Sequence, residues 1–362
     1  MVKNAYIHIP FCKSKCKYCS FISYPKLELK EQYLKALKLE ITSKYRNEKL
    51  NTLYIGGGTP STLTVNEIEQ LLCLFDTEKD AEITIELNPE TMSFEYFRGL
   101  KDIGINRVSL GCQTFNDDIL KRIGRRHNSQ QAIDAVAYAK DAGFKNISMD
   151  FIYGLPNQTL QDFSSDLNKA ISLGVTHISL YGLKIDEGCY FYEHRPENIA
   201  NDDIQADMYL NACKIMKEND FLHYEISNFA KKGCESRHNL NYWYNNSYYG
   251  FGVAAHGYIE GVRYANKNEL GDYIKNPLIC ADEHKITQRE MLEEEIFLGL
   301  RKSKGLDISA INRKFGIDFK EKYSNVIDKY QKSGYLNFDG NICNLTESGI
   351  LVSNVILVDF LD

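Results

Sequence analysis

Three cysteines, Cys12, Cys16 and Cys19, fall within eight positions of the stretch AYIHIPFCKSKCKYCSF (5–21), spaced C-x3-C-x2-C directly after a short alternating apolar run. Thiolates this close together bind soft metals. A structural zinc site takes four protein ligands and a four-iron cluster likewise offers four positions, so three cysteines leave one position for another donor. His8 is the protein side chain nearest to hand, which keeps a Cys3His zinc site open as an alternative. The alternation of AYIHI, however, puts His8 on the same strand face as Tyr6. The other seven cysteines are scattered singly and read as small buried hydrophobes.

Short β-rich runs alternate with longer amphipathic stretches through the first half of the chain. The runs are AYIHI (5–9), TLYIG (52–56), EITIEL (82–87), RVSLGCQ (107–113), ISMDFIYG (147–154) and HISLYGL (177–183). Helical periodicity marks the segments between them, among them KEQYLKALKLEITSKY, NEIEQLLCLF, QQAIDAVAYAKDAG and LQDFSSDLNKAISLG. Six such units imply an α/β fold with a parallel sheet, either doubly wound or a partial (β/α)6 barrel; in both, ligands collect at the C-terminal strand ends. The chemistry-bearing residues obey that rule. Cys12 follows strand 1, GGGTP (56–60) ends strand 2, Glu86 and Asn88 end strand 3, Gln113 ends strand 4 and Asp150 lies on strand 5.

The texture changes near residue 286, where two or three helices precede YLNFDGNICNL, whose Asp339-Gly340 marks a tight hairpin, and a last helix that Thr346 would cap. This divides the chain into a core (1–225), a connecting region (226–285) and a smaller, mostly helical, winged-helix-like domain (286–362). A net charge of −6 argues against a nucleic-acid binder. The N-terminus carries no secretory or organellar pattern, and no segment approaches the roughly 18 apolar residues of a membrane span, so a cytoplasmic protein without a transmembrane segment is expected.

In these motifs the sequence resembles the radical S-adenosylmethionine (SAM) superfamily. The resemblance implies that Cys12, Cys16 and Cys19 hold a [4Fe-4S] cluster whose fourth iron is chelated by the amino and carboxylate groups of SAM, which electron donation can split to a 5′-deoxyadenosyl radical. The cosubstrate's parts suit the residues at hand. The glycine run lets backbone approach the amino head, and no Lys-Ser/Thr pair follows to make it a phosphate loop. Glu86 suits ribose hydroxyls, and Arg125 suits a carboxylate through a paired fork. Taken residue by residue, a turn, a strand-end hydrogen bond or a surface arginine remains open for each. The strings YIHIPFCKSKCKYC, YIGGGTPSTL, IELNPET, GINRVSLGCQTF, IGRRH and MDFIYGLPNQT are similar to the HemN/HemW branch. That likeness implies SAM contacts from Tyr6, Tyr18, Gly57, Gly58, Thr59, Glu86, Gln113, Arg125 and Asp150.

The branch holds two functions, oxygen-independent coproporphyrinogen III oxidation and haem delivery. Oxidase-type sequences carry a fourth cysteine two places after the third and a long segment before the cluster; here that place holds Phe21 and the cluster begins at residue 12. SRHNLNYWYNN supplies His238, Asn239, Tyr242 and Trp243, similar to an HNxxYW motif associated with haem. An imidazole can ligate haem iron and aromatic rings can cover a porphyrin face, although the same residues suit a buried core cluster. The resemblance implies a haem chaperone that works with an electron donor and haem-accepting proteins, with the decarboxylase as the alternative and another radical modification of a tetrapyrrole as a third reading. Whether SAM is cleaved is left open.

Overall fold

The computed structural model describes residues 1–361. Six strands, β1 (Asn4–Ile9), β2 (Leu50–Gly57), β3 (Thr77–Leu87), β4 (Arg107–Gln113), β5 (Asn146–Tyr153) and β6 (His177–Gly182), are parallel and lie side by side in chain order. A doubly wound sheet reverses its winding at a switch point; an unreversed order curls the sheet into part of a barrel. The six runs read from sequence are these strands. β3 alone starts well before its run, because the polar Glu78–Asp80 stretch extends it and Thr77 pairs with Leu50 across an irregularity.

Alternation divides the two faces of this sheet. Ile7, Ile9, Leu53, Ile55, Ile85, Val108, Leu110, Ile147, Met149, Phe151, Ile178 and Leu180 are buried together with helix residues such as Leu37, Ile68, Leu100, Val136 and Phe163. The opposite face is polar: Thr52, Tyr54, Glu82, Thr84, Glu86, Arg107, Ser109, Ser148, Asp150, His177 and Ser179. Register sets Glu86 beside Ser109, Ser109 beside Ser148, and Asp150 beside Ser179. Burying that many polar groups is tolerable only where they bond one another or a ligand. Three of the crossover helices start on capping boxes: Thr64 with Glu67, Asn128 with Gln131 and Thr159 with Asp162.

The chain after β6 finishes both sides of the sheet. β7 (Leu222–Glu225) and β8 (Asn228–Ala230) add antiparallel beyond β6, and β9 (Tyr249–Phe251) adds parallel beside β1, giving nine strands. Between them the helix Arg237–Trp243 packs against β2 at the N-terminal ends of the strands. β10 (His256–Ile259), β11 (Val262–Asn266) and β12 (Cys280–Lys285) form a separate antiparallel sheet.

The helix Gln288–Gly299 opens the C-terminal part on a Thr287–Glu290 capping box. β13 (Leu306–Asp307), helices Ile308–Phe315, Phe319–Lys322 and Ser324–Lys332, and the hairpin of β14 (Leu336–Phe338) and β15 (Ile342–Leu345) follow. This helix–strand–helices–hairpin order, with sheet order β13-β15-β14, is winged-helix-like and has its own core of Ile296, Ile311, Phe319, Ile327, Cys343 and Phe360. Thr346 caps the next helix by accepting from Gly349 N at 3.0 Å. The region read from sequence as 286–362 ends on Asp362, which lies outside the described residues. Among the described residues no helix is long and apolar enough to cross a membrane.

Candidate functional site

A cavity of about 380 Å³ opens at the C-terminal ends of the six strands, within the size range of small-molecule sites. Cys12, Cys16 and Cys19 line it from the loop after β1. That loop is anchored on several sides: Cys12 N donates to Tyr24 O, Lys17 N to Ile123 O, and Cys19 N to Cys16 O. Cys12 Sγ stands 3.3 Å from Thr59 Oγ1, and Arg125 Nη1 donates to Cys16 Sγ at 3.6 Å. Burial pushes the Cys19 thiol up to about 11; metal ligation is what would deprotonate such a thiol. Among the described residues no three His, Cys, Asp or Glu side chains gather tightly enough for a single metal ion.

His8, the alternative fourth ligand, is committed elsewhere. Its Nδ1 pairs with Tyr6 OH and its Nε2 with Ile22 O, each at 3.0 Å, and burial lowers its pKa to about 4. The ring lies under the glycine run: a Cβ on Gly57, at φ +114°, would meet it at 2.6 Å. A Cβ on Gly58 would meet Phe11 O at 2.9 Å and Cys12 Sγ at 3.1 Å. These two glycines therefore let the end of β2 close against the cysteine loop as well as leave backbone open to the cavity.

Tyr18, Gly57, Gly58, Thr59, Glu86, Gln113, Arg125 and Asp150 all line the same cavity. Tyr6 is not among its lining residues: its hydroxyl turns to His8 and its ring stacks on Tyr54. Glu86 accepts from Tyr54 OH at 2.7 Å and from Gly57 N at 3.0 Å, and burial raises its pKa to about 7. Asp150 accepts from Ser109 Oγ at 3.1 Å and is likewise raised by burial. Arg125 Nη2 donates to Asn88 Oδ1 at 3.0 Å and to Gly111 O at 2.5 Å, while among the described residues its buried Nε has no partner. Gln113 holds φ +69°, a left-handed conformation uncommon for this residue type. Three soft sulfurs, a guanidinium and two carboxylates on one wall, with an orphaned buried donor among them, suit an iron–sulfur cluster together with a zwitterionic cosubstrate.

Sequence reasoning missed Ser109, Ile152 and Tyr181, which complete the wall from β4, β5 and β6. Their signal was the inward alternation of those strands. Deeper in the barrel Arg107 is 2% exposed and its charge acts on Glu82, Tyr54, Tyr224 and Asp150.

The haem candidates lie at the other end of the strands. His238 is 1% exposed; its Nδ1 pairs with Thr52 Oγ1 at 2.7 Å and its Nε2 with Tyr242 OH at 2.8 Å. Its ring stacks on Tyr54, its backbone N donates to Glu82 Oε1, and burial lowers its pKa to about 3. Asn239 N donates to the capping Ser236 Oγ, while Tyr242 and Trp243 line a groove shared with Arg263, His284 and Phe297. The structure thus gathers the cluster and cosubstrate candidates at one end of the strands and separates the HNxxYW residues from them.

Comparison with known proteins agrees with this architecture. The radical SAM superfamily matches residues 6–170 and the HemN C-terminal domain matches residues 286–352. The heme chaperone HemW of Lactococcus lactis is 38% identical, covering 99% of this chain and 97% of its own, and that of Bacillus subtilis is 36% identical, covering 99% of both. The structure of coproporphyrinogen III oxidase (HemN) from Escherichia coli superposes with a TM-score of 0.88 over 99% of this chain and 90% of that chain. At 22% identity it establishes the fold alone. With near-full-length relatives well above 30% identity, the chain belongs to the radical SAM superfamily, in the HemW family.

Proposed function

We propose that this protein is a haem chaperone: it holds a [4Fe-4S] cluster, SAM and haem, and passes haem to acceptor proteins. The observation that carries the reading is the near-full-length similarity to curated heme chaperones, which extends through the HNxxYW region and the C-terminal domain. In this reading Cys12, Cys16 and Cys19 ligate the cluster. Arg125 pairs with the SAM carboxylate, Glu86 and Asp150 accept from its hydroxyls and amino group, and Tyr18, Gly57, Gly58, Thr59 and Gln113 shape the cavity. Tyr6 supports the floor through His8 and Tyr54. When bound, the cluster supplies one-electron reducing power from an external donor. The chain's own residues exclude water and fix the cosubstrate: Gly58 brings the end of β2 against Cys12, and Arg125 sets its positive charge beside Cys16.

Anaerobic reconstitution followed by an optical titration with haem and an assay for 5′-deoxyadenosine tests the reading. Wild-type protein is expected to be brown, to contain iron and to bind haem; Cys12→Ala, Cys16→Ala and Cys19→Ala are each expected to lose the charge-transfer absorbance. Stoichiometric zinc without iron would overturn the cluster assignment. An intact cluster with no haem binding would overturn the chaperone, and decarboxylation of coproporphyrinogen III in the presence of reductant and SAM would replace it with the oxidase.

A further inference from the structure

His8, His177 and His238 are buried with both ring nitrogens paired inside the protein, so none of them offers a nitrogen to an incoming metal. His284 differs. It lies on β12, directly across from Arg263 on β11, and is largely exposed. Its Nε2 pairs with Glu290 Oε1 at 2.9 Å, and among the described residues the other ring nitrogen has no partner. A carboxylate holding one imidazole nitrogen is the arrangement that orients a histidine for metal ligation. Glu290 is itself fixed, since it closes the capping box at the start of the helix Gln288–Gly299.

His284 also borders a groove of about 580 Å³ between β11 and β12, the helix Arg237–Trp243 and the helix Gln288–Gly299. The walls include Tyr242, Trp243, Tyr248, Phe297 and Leu298, and Phe297 is 40% exposed. The acids that reach this groove are already paired: Glu290 with His284, Glu293 with Arg289, and Glu294 with Arg263. Flat aromatic walls, three lining glutamates that are each paired, and an oriented imidazole at the edge match an iron porphyrin, whose faces are apolar and whose metal takes an axial nitrogen.

We infer that haem is held in this groove, with His284 as the axial ligand to its iron and with Tyr242 and Trp243 covering one porphyrin face. His238 then positions Tyr242 from behind through its Nε2 contact and does not touch the iron. This inference rests on the haem-chaperone reading and assigns it a location.

The test is titration of the full-length, cluster-reconstituted protein with ferric haem and, separately, with metal-free protoporphyrin IX, read by the Soret band and the dissociation constant. Expected for His284→Ala is loss of the imidazole-ligated haem spectrum and at least about tenfold weaker haem binding, with metal-free porphyrin binding unchanged. Phe297→Glu is expected to weaken both ligands by a similar factor. Both positions are exposed, and far-UV circular dichroism checks that the variants fold. If wild-type protein binds haem and His284→Ala binds it with the same spectrum and affinity, the location is wrong while the chaperone stands. If wild-type protein binds no haem, the chaperone reading itself fails.

Discussion

Gly57 shows how tightly the cavity rim is built. A methyl group there would need φ +114° and would meet the His8 ring at 2.6 Å, so both backbone strain and overlap oppose it. Gly57→Ala is expected to lower stability by about 1–3 kcal/mol in urea unfolding and to weaken SAM binding through the displaced Gly57 N–H. The buried histidines set a pH dependence. His8 titrates near 4 and His127 and His238 near 3, all lowered chiefly by burial from the ordinary 6.5. Between pH 6.5 and those values the unfolded chain binds protons that the folded chain does not, so these groups stabilise fully above 6.5 and lose that contribution as the pH falls. Glu86 and Asp166, raised by burial to about 7 and 6, act in the opposite sense, so single variants are the clean measurement. In His238→Gln the stability lost between pH 6.5 and 5 is expected to be smaller than in wild type by about 2 kcal/mol. An equal loss in both proteins would place the titration elsewhere.

At the scale of elements, the helix Arg237–Trp243 depends on a strand. Glu82 of β3 accepts from Arg237 N at 3.1 Å and from His238 N at 3.0 Å, so a carboxylate satisfies two free donors at the positive end of the helix. Asn4 Nδ2 of β1 adds a bond to Asn241 Oδ1 at 2.7 Å. Glu82→Ala is expected to cost about 1–3 kcal/mol, with faster amide exchange confined first to residues 237–243; uniform destabilisation without local exchange would refute the docking role. None of this was legible in the sequence, because the contacts join positions 155 to 237 residues apart. The six strands and their helices were legible because period-2 and period-3.6 patterns are local, and the cysteine, glycine and Glu86 signatures were legible because each stands at or just after a strand end, with Asp150 inside β5. The haem motif was found as a string, yet its histidine is inside: a side chain's direction follows from what packs on the helix, which β1–β3 decide. β9 was invisible, since three residues carry no period.

At the scale of the whole molecule, a short backbone seam joins the C-terminal part to the core. Ile226 N donates to Arg301 O at 3.0 Å and Ser303 N to Tyr224 O at 3.1 Å, and the Arg301 guanidinium lies 4.4 Å from the Trp243 ring centre. Trp243 thus joins the barrel-floor helix to the start of the C-terminal part. Trp243→Ala is expected to speed amide exchange at Ile226 and Ser303 by roughly tenfold, as loss of a cation–π contact of about 1 kcal/mol or more predicts; unchanged exchange there would show the seam to be independent of the ring. Because β9, residues 249–251, is the outer neighbour of β1, that strand waits during synthesis for about 240 further residues before its flank is covered. At ordinary synthesis rates of about 5–20 residues per second, that leaves a hydrogen-bonding border open for many seconds. Newborn copies of this protein should therefore be clients of holdases, and slowing translation before residue 249 should increase their aggregation.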